Sequence, residues 1–284
     1  MLEINADQQD YWANSPGGQK WITLEDQLDA ALGPVLDLVL NHAQLRSGER
    51  VLDIGCGTGA SLLAAAQQVG PEGHVMGADI SAPFVDRALA RAQAAGMAHV
   101  SARVVDAQTE AFEADSVDAI ISRFGVMFFE DSVAAFANMA KALRPGGRMV
   151  FAAWGQLRNN PWFLVPHLAA VERLGQPPKT DRNAPGPLAF HDLDRVQGMF
   201  QAAGLLVQAQ AETVQLTPAG GIDGAASLCM KVGPAVRTIA HFDGTAEDEA
   251  AIQDAVKARF VGLSTDDPFH LPAEINLFHA TKER

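Results

Sequence analysis

Val51-Leu52-Asp53-Ile54-Gly55-Cys56-Gly57-Thr58-Gly59 decides the fold. Four residues of strand character run into a loop with glycine at every second place, and Ser61 to Val69 then repeats apolar side chains at helical spacing. A strand that feeds a helix through glycines leaves backbone N–H groups open and lets a ligand approach the main chain closely.

Gly55, Gly57 and Ala60 also satisfy the looser dinucleotide fingerprint. Asp79, twenty residues past Gly59 at the end of the next apolar run, stands where a carboxylate accepts both hydroxyls of an adenosine ribose. At this level a nicotinamide dinucleotide and S-adenosylmethionine fit equally. Asp53 separates them, because a carboxylate beside the loop repels a pyrophosphate but attracts the ammonium of a methionine moiety and tolerates its sulfonium. The bland readings are a tight strand-to-helix turn that holds nothing and, for Asp79, an ordinary helix cap.

Outward from the loop, strands are expected at Val75 to Ile80, Val100 to Val105, Val117 to Ser122 and Met149 to Trp154. A helix capped by Ser81 and opened by Pro83 should end before Gly96, and another should span Asp131 to Leu143, followed by an Arg144-Pro145-Gly146-Gly147 turn. Strands alternating with helices give an α/β, doubly wound, mostly parallel sheet. Upstream, Thr23-Leu24-Glu25-Asp26 reads as a capping box before a helix that Pro34 should kink or split. Downstream, helices are expected at Pro161 to Leu174, Asp192 to Ala203 and Ala246 to Leu263, and strands at Leu205 to Leu216 and Ile275 to Thr281. Pro177, Pro178, Pro185 and Pro187 mark a long loop between the first two of these helices.

Val51 to Gly59 resembles motif I of the class I methyltransferases, and Ala78-Asp79-Ile80 resembles the acidic motif that follows it. Val105-Asp106-Ala107-Gln108 with Phe112 is similar to the adenine-binding segment. Phe124 to Asp131 with Leu143-Arg144-Pro145-Gly146-Gly147-Arg148 resembles the ubiquinone/menaquinone C-methyltransferase-like branch. The resemblance implies a Rossmann-like fold with helical cover segments and S-adenosylmethionine as cofactor, S-adenosylhomocysteine being the product. Under it Asp53 would bind the methionine amine, Gly55, Cys56, Gly57 and Gly59 would line the methionine portion, and Asp79 would hold the ribose. Ile80 and Phe84 would pack on the adenine, Asp106, Ala107 and Gln108 would edge it, and Arg123 would sit below the methyl group. Cys56 reads as packing rather than as a nucleophile.

Ser122-Arg123-Phe124-Gly125 stands where base-modifying amino methyltransferases carry Asn/Asp-Pro-Pro-aromatic. Neither cysteine follows a proline, as the cytosine C5 enzymes require, and no aspartate cluster offers a magnesium site. The net charge of −13 disfavours a nucleic-acid partner, since phosphate binding rests on lysine and arginine. The acidic start Met1 to Asp7 lacks signal-peptide character and no run is long enough to span a bilayer, so a cytoplasmic chain with no membrane partner and no metal is expected.

The 284 residues are read as a single methyltransferase domain. Within it 1–48 form a helical cover, 49–156 the cofactor core, 157–191 an insertion or lid, and 192–284 the rest of the sheet with a helical insertion at 218–268. The expected partner is a small, moderately apolar molecule methylated on oxygen or carbon. Trp12, Trp21, Phe128, Trp162 with Phe163, and His191 are the candidate pocket residues. His167, spaced four residues from Phe163 and from Val171, is the candidate base. The alternatives are a nicotinamide oxidoreductase and a cofactor-binding protein without methyl transfer activity.

Overall fold

The computed structural model describes residues 4–264 and 268–282. The start of the acidic N-terminal stretch (Met1 to Glu3), part of the 218–268 insertion (265–267) and the last two residues of the chain lie outside the described residues.

Three helices precede the sheet: α1 (Ala6–Asn14), α2 (Pro16–Thr23) and α3 (Glu25–Ala43). The alternating part follows, as β1 (Arg50–Ile54), α4 (Ala60–Val69), β2 (His74–Asp79), α5 (Ala82–Ala94), β3 (Val100–Val104), β4 (Val117–Arg123), α6 (Ser132–Ala142) and β5 (Leu143–Trp154). The chain then forms α7 (Pro161–Leu174), α8 (Leu193–Ala202), β6 (Leu206–Leu216), α9 (Gly221–Cys229), α10 (Pro234–His241), α11 (Ala246–Val261) and β7 (Leu271–Thr281).

The seven strands lie in the order β3-β2-β1-β4-β5-β7-β6. The first five are parallel, and β7 enters antiparallel between β5 and β6. Val51, Leu52, Ile54, Ala119, Ile120 and Ile121 are nearly or completely buried, as expected of central strands covered on both faces. Right-handed crossovers put α4 and α5 on one face and α6 on the other. The order of strands reverses between β1 and β4, and the crevice at their carboxyl ends is where such sheets hold ligands. The helices α7, α9, α10 and α11 pack on one another as a separate layer, reaching the sheet through α7 and β7.

Several local expectations need correction. The Thr23–Asp26 capping box does not form: Thr23 is still helical, its hydroxyl donates to the Gln19 carbonyl at 2.7 Å, and α3 starts without a side-chain cap. Glu25 instead pairs with Arg87 of α5. Pro34 does not split α3, which runs unbroken to Ala43. Ser81 occupies the N-cap position of α5 without capping it, because its hydroxyl donates to the Trp12 carbonyl at 3.1 Å. The Arg144–Gly147 turn is an irregular start to β5, opposite a register shift between Val117 and Ala119 of β4. No helix among the described residues is long and apolar enough to cross a membrane.

Candidate active site

The loops leaving β1 and β4 touch at the switch point. Gly55 has φ +64, and a Cβ built on it would lie 2.6 Å from the Gly125 Cα, so both positions need glycine for close approach. Ser122 fixes the crossing: its hydroxyl donates to the Ile54 carbonyl at 2.7 Å and accepts from the Gly125 amide at 3.1 Å. Between them Phe124 is held at φ +66, a left-handed conformation that costs a bulky side chain about 1–2 kcal/mol. Such strain persists only where its surroundings enforce it.

Asp53, at the end of β1, is fully buried. Ser61 donates to its Oδ2 at 2.6 Å, whereas Oδ1 has no hydrogen-bond partner. Burial pushes the Asp53 carboxyl up to about 7, against the Ser61 hydrogen bond and the Arg123 charge. Arg123, at the end of β4, is also largely buried, with Nη2 3.6 Å from Asp29 of α3 and Nη1 without a partner. Burial lowers its pKa, against Asp29 and Asp53. A buried carboxylate oxygen and a buried guanidinium nitrogen that both lack partners are costly unless a ligand completes them. One ligand carrying an ammonium and a carboxylate on the same carbon supplies both complements.

Asp79 accepts from the Gly57 amide at 2.8 Å and the Ser81 amide at 2.9 Å, which ties the end of β2 to the glycine loop. Burial raises it to about 6, against the amides of Ser81, Gly57 and Ile80. Gly57 has φ +54, and a Cβ there would face open space. Cys56 is buried and its thiol is pushed well up by burial and by Asp79 and Asp53, which removes its nucleophilic form. Asp106 accepts from the Gln108 amide at 2.9 Å, and Ala107 and Gln108 are buried beside it.

The expected aromatic pocket divides in two. Trp12 meets Phe84, Phe128 and Trp21 at ring-centroid distances of 6.0, 5.2 and 5.8 Å. Phe84, Trp21 and Phe128 therefore gather around Trp12, on the side read as the adenine pocket. The other group lies beyond β4: Phe124 stacks flat on Trp154 at 4.4 Å, and Phe163 and Trp154 meet edge to face at 4.8 Å. Trp162 is buried with its carbonyl against the Cys229 thiol, and shares no ring contact with either group among the described residues. His191 is turned into its own loop, with Nδ1 2.8 Å from the Leu188 carbonyl. His167 flanks the buried side of α7, where burial and then the Arg182 charge lower its pKa.

Sequence reasoning missed Asn5, Asp29, Ser61, Arg91, Ser122 and Gly125. Arg91 donates to the Thr58 carbonyl at 3.1 Å and pairs with Asp29 at 2.8 Å, so it links the glycine loop to α3. Only Ser61 and Gly125 carried a signal, as a hydroxyl entering the helix after the loop and a glycine at a strand exit.

A methyltransferase-domain family matches residues 45–202, more than half of the chain. The chain belongs to the class I S-adenosylmethionine-dependent methyltransferases. Two curated relatives of this methyltransferase match over its core. Aklanonic acid methyltransferase DauC of Streptomyces sp. (strain C5) is 43% identical over 107 residues, 38% of this chain and 49% of the relative. Nocamycin O-methyltransferase of Saccharothrix syringae is 40% identical over 116 residues, 41% of each. The methyltransferase thus matches less than half the length of these relatives. The YcgJ protein of Bacillus subtilis superposes with a TM-score of 0.56 at 21% identity, over 88% of this chain and 98% of that one, which shows the shared fold. The cofactor of this family is S-adenosylmethionine, which tells against the nicotinamide alternative.

Proposed function

We propose that the protein transfers a methyl group from S-adenosylmethionine to an oxygen or carbon nucleophile of a small, moderately apolar molecule. The observation that carries the reading is the pair of unpartnered buried atoms, Asp53 Oδ1 and Arg123 Nη1, beside the glycine loop. They fit the ammonium and carboxylate of the methionine moiety. Asp79 would hold the ribose, Ile80 and Phe84 would pack on the adenine, and Asp106 with Ala107 and Gln108 would read its edge. When bound, the cofactor supplies an electrophilic methyl on sulfur, displaced in line with a neutral leaving group.

The chain's own part is then to orient the acceptor and exclude water. Phe124, Trp154 and Phe163, at the exits of β4 and β5 and on α7, pack on one another beside Arg123 and would form the apolar wall of the acceptor pocket. The names of the two relatives, an aklanonic acid methyltransferase and a nocamycin O-methyltransferase, favour an organic acid or other oxygen acceptor. The likeness of Phe124–Asp131 to the quinone C-methyltransferase branch keeps an activated ring carbon beside it. His167, whose pKa is lowered by burial and then by the Arg182 charge, is the proposed base. The helices α1 and α2 and the 175–191 loop would act as cover.

The test is a screen of phenols, carboxylic acids and activated ring carbons with a methyl-labelled donor. Label in one class and not in amines or nucleic acid supports the proposal. Binding of S-adenosylhomocysteine without label in any class favours a cofactor-binding protein that lacks methyl transfer.

A further inference from the structure

Asn5 occupies the N-cap position of α1 but does not cap it. Asparagine is among the residues that best satisfy a helix N-terminus, and giving up that bond costs about 0.5–2 kcal/mol. Its side chain instead reaches more than a hundred residues along the chain. Nδ2 donates to Asp106 Oδ2 at 2.9 Å and to Gln108 Oε1 at 3.1 Å, and Oδ1 accepts from the Glu130 amide at 2.8 Å. The residue is buried and in the left-handed region at φ 59, which asparagine tolerates better than most side chains. Every polar atom of the carboxamide is used, and two of the three bonds fall on the side chains that the proposed cofactor site assigns to the adenine edge.

The consequence for those side chains is geometric. Asp106 Oδ1 is held by the Gln108 amide and Oδ2 by Asn5, so the carboxylate plane is fixed. Gln108 Oε1 is held by Asn5 and by the Asp131 amide at 3.2 Å, so its carboxamide has a single orientation. A carboxylate free to rotate pays entropy to meet a purine amino group; a locked one does not. The backbone running on from Asn5 places Trp12 against Phe84 and Phe128, with the Trp12 carbonyl receiving the Ser81 hydroxyl, so the same arm covers the flat face beside this edge.

We propose that Asn5 is a positioning residue for adenine recognition: its carboxamide locks Asp106 and Gln108, and so makes selectivity for the 6-amino group depend on the N-terminal arm. This rests on the assignment of the adenine to Asp106, Ala107 and Gln108. The experiment compares S-adenosylhomocysteine with S-inosylhomocysteine, in which an oxygen replaces the 6-amino group, by calorimetry on the full chain. Wild-type protein should prefer the adenine compound. Asn5→Ala should weaken the adenine compound about tenfold and the inosine compound much less, so that the selectivity ratio shrinks about tenfold, the cost expected for immobilising the freed Asp106 and Gln108 side chains on binding. Asn5→Asp keeps the volume but sets an acceptor against two acceptors, and should shrink the ratio at least as much. Equal weakening of both compounds, with the ratio unchanged in either folded variant, overturns the positioning role and leaves Asn5 as a structural tether. Wild-type protein that binds neither compound, or binds both alike, overturns the adenine assignment itself and this proposal with it.

Discussion

Replacing Gly125 with alanine is expected to damage cofactor binding while the sheet stays folded. Gly125 has a negative φ of −80, so alanine meets no conformational penalty there and the effect is steric. The new Cβ would lie 2.4 Å from the Ile54 carbonyl oxygen and 2.8 Å from the Gly55 Cα, both backbone atoms that have no rotamer to change. Restoring ordinary contact, which begins at 3.4 Å, requires the two loops to part by about 1 Å. That motion also stretches the Ser122 bond to Ile54 beyond hydrogen-bonding range, since it starts at 2.7 Å. Overpacking of this kind costs about 1–3 kcal/mol of stability. A shift of about 1 Å between the glycine loop and Arg123 should weaken S-adenosylhomocysteine at least tenfold and lower turnover about a hundredfold. Calorimetry on protein shown by circular dichroism to be folded reads the first effect. Gly198→Ala is the control, because its Cβ meets nothing within 4 Å and it sits in α8 away from the site. It should add about 0.5–1 kcal/mol of stability and leave binding unchanged. A Gly125→Ala protein that binds within twofold of wild type would refute the argument that this crossing sets the cofactor loop.

Affinity for S-adenosylhomocysteine should depend on pH through Asp53. Its carboxyl, raised to about 7, is protonated in the free protein below that pH, and the ligand ammonium favours the ionised form. Calorimetric affinity should therefore rise about tenfold per pH unit between about 6 and 7 and then level off, and Asp53→Asn should remove the slope in that window, leaving only the contribution of Asp79 below about 6. The stability of the free protein runs the other way. A carboxyl raised from 3.8 contributes stability that is full below 3.8 and is lost as pH rises through about 7 for Asp53 and about 6 for Asp79, so the melting temperature of Asp53→Asn should fall less between pH 5 and 8. If Asp79 holds the ribose as proposed, Asp79→Ala removes two charge-assisted bonds, each worth about 1.5–3 kcal/mol, and should weaken binding over a hundredfold; an unchanged dissociation constant would leave Asp79 only its Gly57 and Ser81 contacts. Hydrogen exchange with saturating S-adenosylhomocysteine should show added protection at Tyr11 to Trp21 or Gly175 to His191 as well as at Gly55 to Gly59. Protection confined to the glycine loop would remove the cover role.

The parallel strands were legible because burial on both faces writes them as apolar runs between turn residues. The antiparallel β7 was read short, from Ile275 rather than Leu271, because Pro272 and Glu274 interrupt its pattern. The first two helices escaped notice for local reasons: α1 has no buried residue to mark a face, and α2 contains Gly17 and Gly18. Asp53 and Asp79 could be found by their spacing around a glycine loop. Asn5, Asp29 and Ser122 could not, since each matters through a partner far away in sequence, as with Asn5 and Asp106 or Ser122 and Ile54. The aromatic residues were recognised as a class, but one dimension of sequence does not say that Trp12 joins Phe84 while Phe163 joins Trp154.

A crystal structure of the protein with S-adenosylhomocysteine would show whether the crevice between β1 and β4 holds the cofactor. The ligand ammonium is expected at Asp53 Oδ1, its carboxylate at Arg123 Nη1, the ribose hydroxyls on Asp79 and the adenine edge along Asp106 and Ala107. Density for the ligand that leaves Asp53 Oδ1 and Arg123 Nη1 unpartnered, or that lies away from the crevice between β1 and β4, would contradict this placement.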